Sequence, residues 1–314
     1  MPRPPLSYLR LSVTSRCNLR CVHCRPACGA EGSDVLSRDE IVRFVRLAVE
    51  CGIEKVRITG GEPLVRPDIV EIVRDLAALP ELKQLGLTTN GCLLPELAVP
   101  LRQAGLRRIN IGLSAVDAEV YQRITRGPGG GRAMGGLRAA IEAGFDPVKV
   151  NVVVMRGIND GEIPSLALLA RDAPVDVRFI EYMPFPEDAA SRDRYFVPAG
   201  EVLARLRELG DLEPAAAPRG AASAESFRIR GFKGTVGLIA PHSAPFCGAC
   251  NRVRLTADGK LRACLIEGGE TDVLPLIRRG LDRATMARLL AGAAALKPDV
   301  HRGRFCGQMH RIGG

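Results

Sequence analysis

The chain has no tryptophan, and aromatic residues make up only 4% of its 314 positions. That scarcity argues against a nucleic-acid surface built on base-stacking platforms, as does the lack of any compact Lys/Arg run. No stretch of about 18 apolar residues occurs, so a membrane-spanning helix is not expected. The opening Met1-Pro2-Arg3-Pro4-Pro5 lacks the apolar segment of a secretory signal, which predicts a cytoplasmic protein. Lysine is scarce too, supplying only six of the 44 basic residues. Arginine supplies the rest, and against 35 acidic residues it leaves the chain at +9. Its planar fork suits bidentate recognition of phosphate or carboxylate, so an anionic ligand is expected. Ten cysteines in such a chain read as metal ligands rather than a disulfide framework, because the cytosol keeps thiols reduced.

From Tyr8 to Tyr182, short β-branched runs alternate with amphipathic stretches, the pattern of βα units around a parallel sheet. Six strands are predicted: Tyr8–Thr14, Lys55–Thr59, Gln84–Thr89, Arg108–Leu113, Val148–Val154 and Val175–Glu181. Helices such as Arg38–Cys51 and Ile69–Leu79 follow them. The α/β class with a partial (β/α)6 barrel over 1–183 is therefore expected, with an extension over 184–314. In the extension, Pro214–Ala224 reads as a surface linker, 231–264 as short strands around cysteines, and Leu274–Leu296 as one or two helices.

The loop after the first strand carries Cys17, Cys21 and Cys24, a C-x3-C-x2-C spacing. Three thiolates so close can hold three corners of a 4Fe-4S cube and leave the fourth iron open. A zinc site is the competing reading, although zinc usually takes four ligands from paired knuckles. Cys28 follows at x3 and could instead close a ferredoxin-like carrier. A second trio, Cys247, Cys250 and Cys264, has the spacing C-x2-C-x13-C. It too can hold a cluster with an open iron, or a zinc knuckle completed by His242 or Cys306. Arg252 and Arg254 lie two apart beside it, so on a strand they share one face. Lys55 and Arg57 are co-facial for the same reason.

The first cysteine motif, with Gly60-Gly61-Glu62-Pro63 after the second strand, resembles the radical S-adenosylmethionine (SAM) superfamily. The resemblance narrows with Arg10-Leu11-Ser12-Val13-Thr14, Thr88-Thr89-Asn90-Gly91, Arg178-Phe179-Ile180-Glu181-Tyr182-Met183-Pro184, Cys250-Asn251-Arg252-Val253-Arg254-Leu255-Thr256 and the terminal Gly313-Gly314. Over nearly its full length the chain is similar to the molybdenum cofactor biosynthesis protein A family of GTP 3′,8-cyclases.

That resemblance implies two 4Fe-4S clusters, one on Cys17, Cys21 and Cys24 and one on Cys247, Cys250 and Cys264. It implies SAM contacts at Gly60, Gly61, Glu62, Thr88 and Asn90. GTP contacts are implied at Arg10, Lys55, Arg57, Lys149, Arg178, Arg252 and Arg254, with guanine on the open iron of the second cluster. Gly313 and Gly314 correspond to a tail that enters the active site. An electron donor, a downstream cyclic pyranopterin monophosphate synthase and a homodimer are the partners it suggests, with no nucleic acid and no membrane. The chain departs from the family pattern at Ser15, at His23, and at Ile111-Gly112-Leu113-Ser114, where Gly112 lacks a hydroxyl expected near SAM. Two readings compete: a radical SAM paralogue that modifies peptides, and an Arg-rich, zinc-binding nucleic-acid module.

Overall fold

The computed structural model describes residues 3–24, 36–127, 130–183, 194–215, 224–301 and 312. All six predicted strands form: β1 (Tyr8–Ser12), β2 (Lys55–Thr59), β3 (Gln84–Thr89), β4 (Arg108–Gly112), β5 (Val148–Val154) and β6 (Val175–Glu181). The first stops two residues earlier than expected and the fourth one residue earlier, where the chain turns into loops. Helices α1 (Arg38–Glu50), α2 (Ile69–Ala77), α3 (Leu94–Gln103), α4 (Ala118–Thr125) and α5 (Gly130–Glu142) connect the first five strands. The short α6 (Ile163–Ala167) and α7 (Leu169–Asp172) lead into β6.

Residues after 183 extend this sheet at both edges. Beyond α8 (Ala199–Arg207) come β7 (Leu212–Pro214), β8 (Glu225–Ile229), β9 (Thr235–Ile239), β10 (Arg252–Leu255), β11 (Lys260–Cys264) and β12 (Gly268–Asp272). The single 12-stranded sheet has the order β12-β11-β10-β1-β2-β3-β4-β5-β6-β9-β8-β7. β10 pairs parallel with β1 and β9 parallel with β6, so the extension continues the parallel run on each side. The expected linker falls mainly on 216–223, outside the described residues, and Pro214 belongs to β7. The C-terminal helical stretch is two helices, α9 (Leu274–Gly280) and α10 (Arg283–Ala295).

Strand periodicity sorts this sheet into two unlike faces. Leu9 and Leu11, Val56 and Ile58, Ile109 and Ile111, and Val175 and Val177 are fully buried in one continuous core with the helices. The alternate positions point the other way and are polar: Tyr8 and Arg10, Lys55 and Arg57, Asn110, Lys149 and Asn151, and Arg178. Strands far apart in the sheet order contribute these residues to one cavity, so the sheet must curl into an open barrel.

Local signals set the elements in place. Ser37 caps α1 in a capping box: its Oγ accepts from Glu40 N at 3.2 Å, while Glu40 Oε2 accepts from Ser37 N at 2.8 Å. Such a cap contributes about 1 kcal/mol. Arg66, 7% exposed, pins the chain on either side of the cysteine loop, donating to Val13 O at 2.7 Å and Leu36 O at 2.9 Å. No described helix is long and apolar enough to cross a membrane.

Candidate active site

The first cysteine loop sits at the carboxyl ends of β1 to β3, the edge where barrel enzymes carry their chemistry. Cys17, Cys21 and Cys24 are half-buried, and their thiols act on one another through space. Burial pushes Cys17 up to about 11 and Cys24 up to about 12, and raises Cys21 further, helped by its two neighbours. As thiolates these groups require a positively charged partner, which iron provides. Beside them His23 is held neutral, burial lowering its pKa to about 4.

Gly60 and Gly61 have a partner that the motif did not disclose. A Cβ on Gly60 would lie 2.5 Å from Thr14 O, and one on Gly61 2.3 Å from Arg16 O. Gly61 N donates to Thr14 O at 2.8 Å and Glu62 N to Arg16 O at 2.7 Å. The glycines therefore let the post-β2 loop lie against the cysteine loop, rather than simply admitting a ligand. The Glu62 carboxylate, 1% exposed, accepts from Asn90 N at 2.6 Å, Thr89 Oγ1 at 2.7 Å and Leu64 N at 3.0 Å. Burial nevertheless raises its pKa to about 7. Three bonds leave a carboxylate room for one further donor, such as an ammonium group. Thr88 Oγ1, on the barrel side of β3, is buried without a hydrogen bond. Asn90 Nδ2 reaches Asn18 Oδ1 at 2.7 Å and Cys17 Sγ at 4.0 Å.

Deeper in the barrel lies a cavity of about 230 Å³ lined by all seven cations expected at a nucleotide: Arg10, Lys55, Arg57, Lys149, Arg178, Arg252 and Arg254. Register explains the convergence. Across β10, β1 and β2, Arg252, Tyr8 and Lys55 stand level, and Arg254, Arg10 and Arg57 form the next row. Gly86 on β3 faces Arg57, whose guanidinium lies 3.0 to 3.1 Å from where a Cβ would be. Arg57 Nη1 donates to Leu87 O at 3.2 Å. Asn151 and Arg178 are paired across β5 and β6.

The cavity is strongly unbalanced in charge. Arg108 and Lys297 also line it, and no Asp or Glu is among its described lining residues. Asp176 reaches two of the cations from the side, at 3.4 Å from Lys149 Nζ and 3.8 Å from Arg178 Nη2. Burial, then the neighbouring Arg178, lowers Lys149 to about 8, and burial lowers Arg10 to about 10. Arg178 and Arg254 are lowered for the same reason. Arg178 Nε and Nη2, Asn110 Oδ1 and Asn151 Oδ1 are buried without hydrogen-bond partners. Buried polar atoms of this kind normally find a partner, so the wall is suited to a polyanionic, hydrogen-bonding ligand.

The second cysteine trio lines the same cavity. Cys247 opens a tight turn closed by Cys250 N donating to Cys247 O at 3.1 Å. Lys297 Nζ donates to Cys250 Sγ at 3.4 Å and to Ala263 O at 3.0 Å, and its charge helps lower the Cys250 pKa against burial. Arg262 Nε donates to Cys264 O at 2.7 Å. Glu181 ties the approach to this loop to β6, accepting from His242 N at 2.9 Å and Ser243 N at 3.0 Å. Among the described residues no three His, Cys, Asp or Glu side chains form a group that could hold one metal ion. Three thiolates in each trio are the donor set for three corners of a 4Fe-4S cube with one iron left open.

Cys17, Cys21, Cys24, Gly60, Gly61, Glu62, Thr88 and Asn90 do not line that cavity; they form a separate group nearer the carboxyl edge. Gly313, Gly314, Cys28 and Cys306 lie outside the described residues. Sequence reasoning missed Tyr8, Gly86, Asn110, Asn151 and Lys297. Four of these lie on strands already predicted, at inward positions set by the two-residue period, which was the available signal. Lys297 follows a helix end and offered none.

A parallel, helix-backed open barrel with a three-cysteine loop after its first strand defines a radical SAM enzyme, and the radical SAM superfamily model matches residues 11–170. The molybdenum cofactor synthesis C model matches residues 175–303. The chain is 46% identical over 299 residues to the GTP 3′,8-cyclase of Moorella thermoacetica, covering 94% of this chain and 92% of the relative. It is 45% identical over 313 residues to that of Geobacter sulfurreducens, covering 98% and 94%. The chain belongs to the GTP 3′,8-cyclase family. Among solved structures, Streptococcus suis SuiB bound to S-adenosylmethionine matches with a TM-score of 0.61 at 15% identity, over 91% of this chain and 68% of that one. Methylornithine synthase (PylB) matches with a TM-score of 0.51 at 21% identity, over 65% and 62%. At these identities the two share the fold alone. Family membership sets aside both the nucleic-acid module and the peptide-modifying paralogue.

Proposed function

We propose that this chain converts GTP to 3′,8-cyclo-7,8-dihydro-GTP, the radical SAM step of molybdenum cofactor biosynthesis. The observation that carries this reading is the shared wall of the cavity, where seven expected cations meet Cys247, Cys250 and Cys264. When bound, a reduced 4Fe-4S cluster would supply the electron that cleaves SAM to methionine and a 5′-deoxyadenosyl radical; that radical would take the hydrogen from C3′ of GTP, C3′ would close on C8, and one further electron from the donor with a proton would complete the 7,8-dihydro product. Cys17, Cys21 and Cys24 hold that cluster, and Glu62 takes one proton of the SAM ammonium group as a hydrogen bond. Thr88 and Asn90 contact the rest of SAM.

Arg10, Lys55, Arg57, Lys149, Arg178, Arg252 and Arg254 hold the triphosphate, and the site of Cys247, Cys250 and Cys264 holds the guanine end. With both ends of the nucleotide fixed, C3′ is presented to the radical carbon, and such positioning reaches effective molarities of about 10⁵–10⁸ M. Strand geometry supports the spacing: Arg57 and Gly60 are three residues apart along one run, about 10 Å at the rise of a strand. The division of labour follows the chain, with residues 1–183 carrying SAM chemistry and 184–314 carrying the second cluster. By the family likeness the terminal Gly313-Gly314 supports turnover, an electron donor and a downstream cyclic pyranopterin monophosphate synthase are the partners, and the cytoplasm is the place of action.

Anaerobically reconstituted protein incubated with reductant, SAM and GTP should yield 5′-deoxyadenosine together with a GTP-derived cyclised product by mass analysis. Formation of 5′-deoxyadenosine with GTP unchanged would reject the substrate. Deleting Gly313-Gly314 should lower turnover at unchanged iron content.

A further inference from the structure

Tyr8 opens β1 with its ring inside the barrel, 7% exposed. Its phenol oxygen accepts from Arg57 Nε at 2.9 Å and is hydrogen-bonded to Arg10. Lys55 Nζ stands 4.6 Å from the ring centroid. Arg252 lies between two rings, 5.8 Å from Tyr8 and 5.1 Å from Phe246. Arg178 on β6 and Arg254 on β10 also feel the charge of this oxygen. The nearby carboxylate, Asp176, is engaged by Lys149, Arg178 and Thr235.

The charged groups acting most strongly on the phenol are therefore all cations, and guanidinium and ammonium groups donate without accepting. Two guanidiniums donate to this one oxygen. A phenolate accepts from both more strongly than a neutral phenol and cancels one charge among several buried cations. Burial pushes the phenol pKa up, yet Arg57, Arg10, Lys55 and Arg252 outweigh it and bring it down to about 6.

We propose that Tyr8 is the internal counterion of the cation cluster in the free enzyme, a phenolate that takes a proton from solvent when the nucleotide's polyphosphate takes over its cations. No other bond changes, and the new O–H donates to a phosphate oxygen. The proposal rests on the nucleotide reading above and adds a proton to it. Because the phenol is more acidic free than bound, binding takes up a proton between the two pKa values, and affinity falls as pH rises above about 6. Lys149, lowered to about 8, adds uptake of the same sign at higher pH.

The test is calorimetric titration of GTP into the reconstituted holoenzyme at about pH 7, in buffers of different ionisation enthalpy. The expected result is about one more proton taken up per GTP by the wild type than by Tyr8→Phe, the nucleotide's own protons cancelling in the difference. Ultraviolet resonance Raman of the wild type should show a tyrosinate band that GTP abolishes, and this readout stands even where Tyr8→Phe fails to assemble. Equal uptake in the two proteins, or no tyrosinate band in the free wild type, overturns the proposal. A tyrosinate band with no GTP binding overturns the nucleotide reading and leaves the counterion standing.

Discussion

The carboxyl edge of the barrel and the cavity beneath it are built on opposite principles. Around Glu62 the protein supplies the partners, since backbone amides and Thr89 already bind the carboxylate. The edge is a preorganised receptor with one place left for a cation. In the cavity the protein withholds partners: Arg178, Asn110 and Asn151 keep buried polar atoms unbonded, and no described Asp or Glu lines the wall. Beyond Tyr8 and Asp176, its charge balance is completed from outside. The edge with its hydrogen-bonded carboxylate thus suits a cationic sulfonium and ammonium ligand, and the cationic cavity suits a polyphosphate.

The contrast is broken most severely at the cysteines. Cys21→Ala should abolish 5′-deoxyadenosine formation, whereas Cys264→Ala should retain it and lose the cyclised product. Each should lose about four irons by chemical analysis. Cysteine variants with the same phenotype would erase the distinction between the two regions.

Next in size is Arg254→Ala. Loss of a buried charged partner costs about 2–5 kcal/mol, so kcat/KM for GTP should fall roughly 30-fold or more while iron content holds. The melting temperature should not drop, because one of several crowded cations has gone. Gly86→Val acts on the same side, since a side chain there meets the Arg57 guanidinium. Overpacking of about 1–3 kcal/mol should raise KM for GTP roughly tenfold and leave SAM binding alone.

The two regions should also respond to pH with opposite signs. Glu62, raised to about 7 by burial, is protonated below that value and loses its acceptor. SAM affinity, followed by spectral titration, should climb as pH rises to about 7 and then level off, with Glu62→Gln flat throughout. GTP affinity should decline as pH rises above about 6, where the Tyr8 phenol of the free enzyme loses its proton. The smallest effect is expected at Gly112→Ser. A Cβ there meets only Thr89 O at 3.8 Å, so the hydroxyl fits without strain. One added hydrogen bond of about 0.5–1.5 kcal/mol should tighten SAM binding a few-fold.

Much of this was legible beforehand. The two-residue period gave six strands and made Lys55 with Arg57, and Arg252 with Arg254, co-facial. The cysteine spacings marked both trios. Tyr8 was read only as the start of a strand, because a lone tyrosine in an apolar run carries no sign of the cations it will meet. Gly86 gave no signal, since its role is to make space for an arginine 29 positions earlier on the neighbouring strand. The Gly-Gly pair was tied to a ligand, yet the contacts that exclude a side chain come from Thr14 and Arg16.

By itself the sequence determined which residues share a face, where chelating thiols cluster and how far the family likeness extends, because all three depend on short-range spacing along the chain. Only the tertiary structure decided that β10 docks beside β1, and with it that Arg252 and Arg254 stand level with Tyr8 and Arg10. The physical reason is that register and closure are collective. They follow from burying the apolar face of every strand at once, and a residue's neighbours on the inner face are whatever that burial brings alongside.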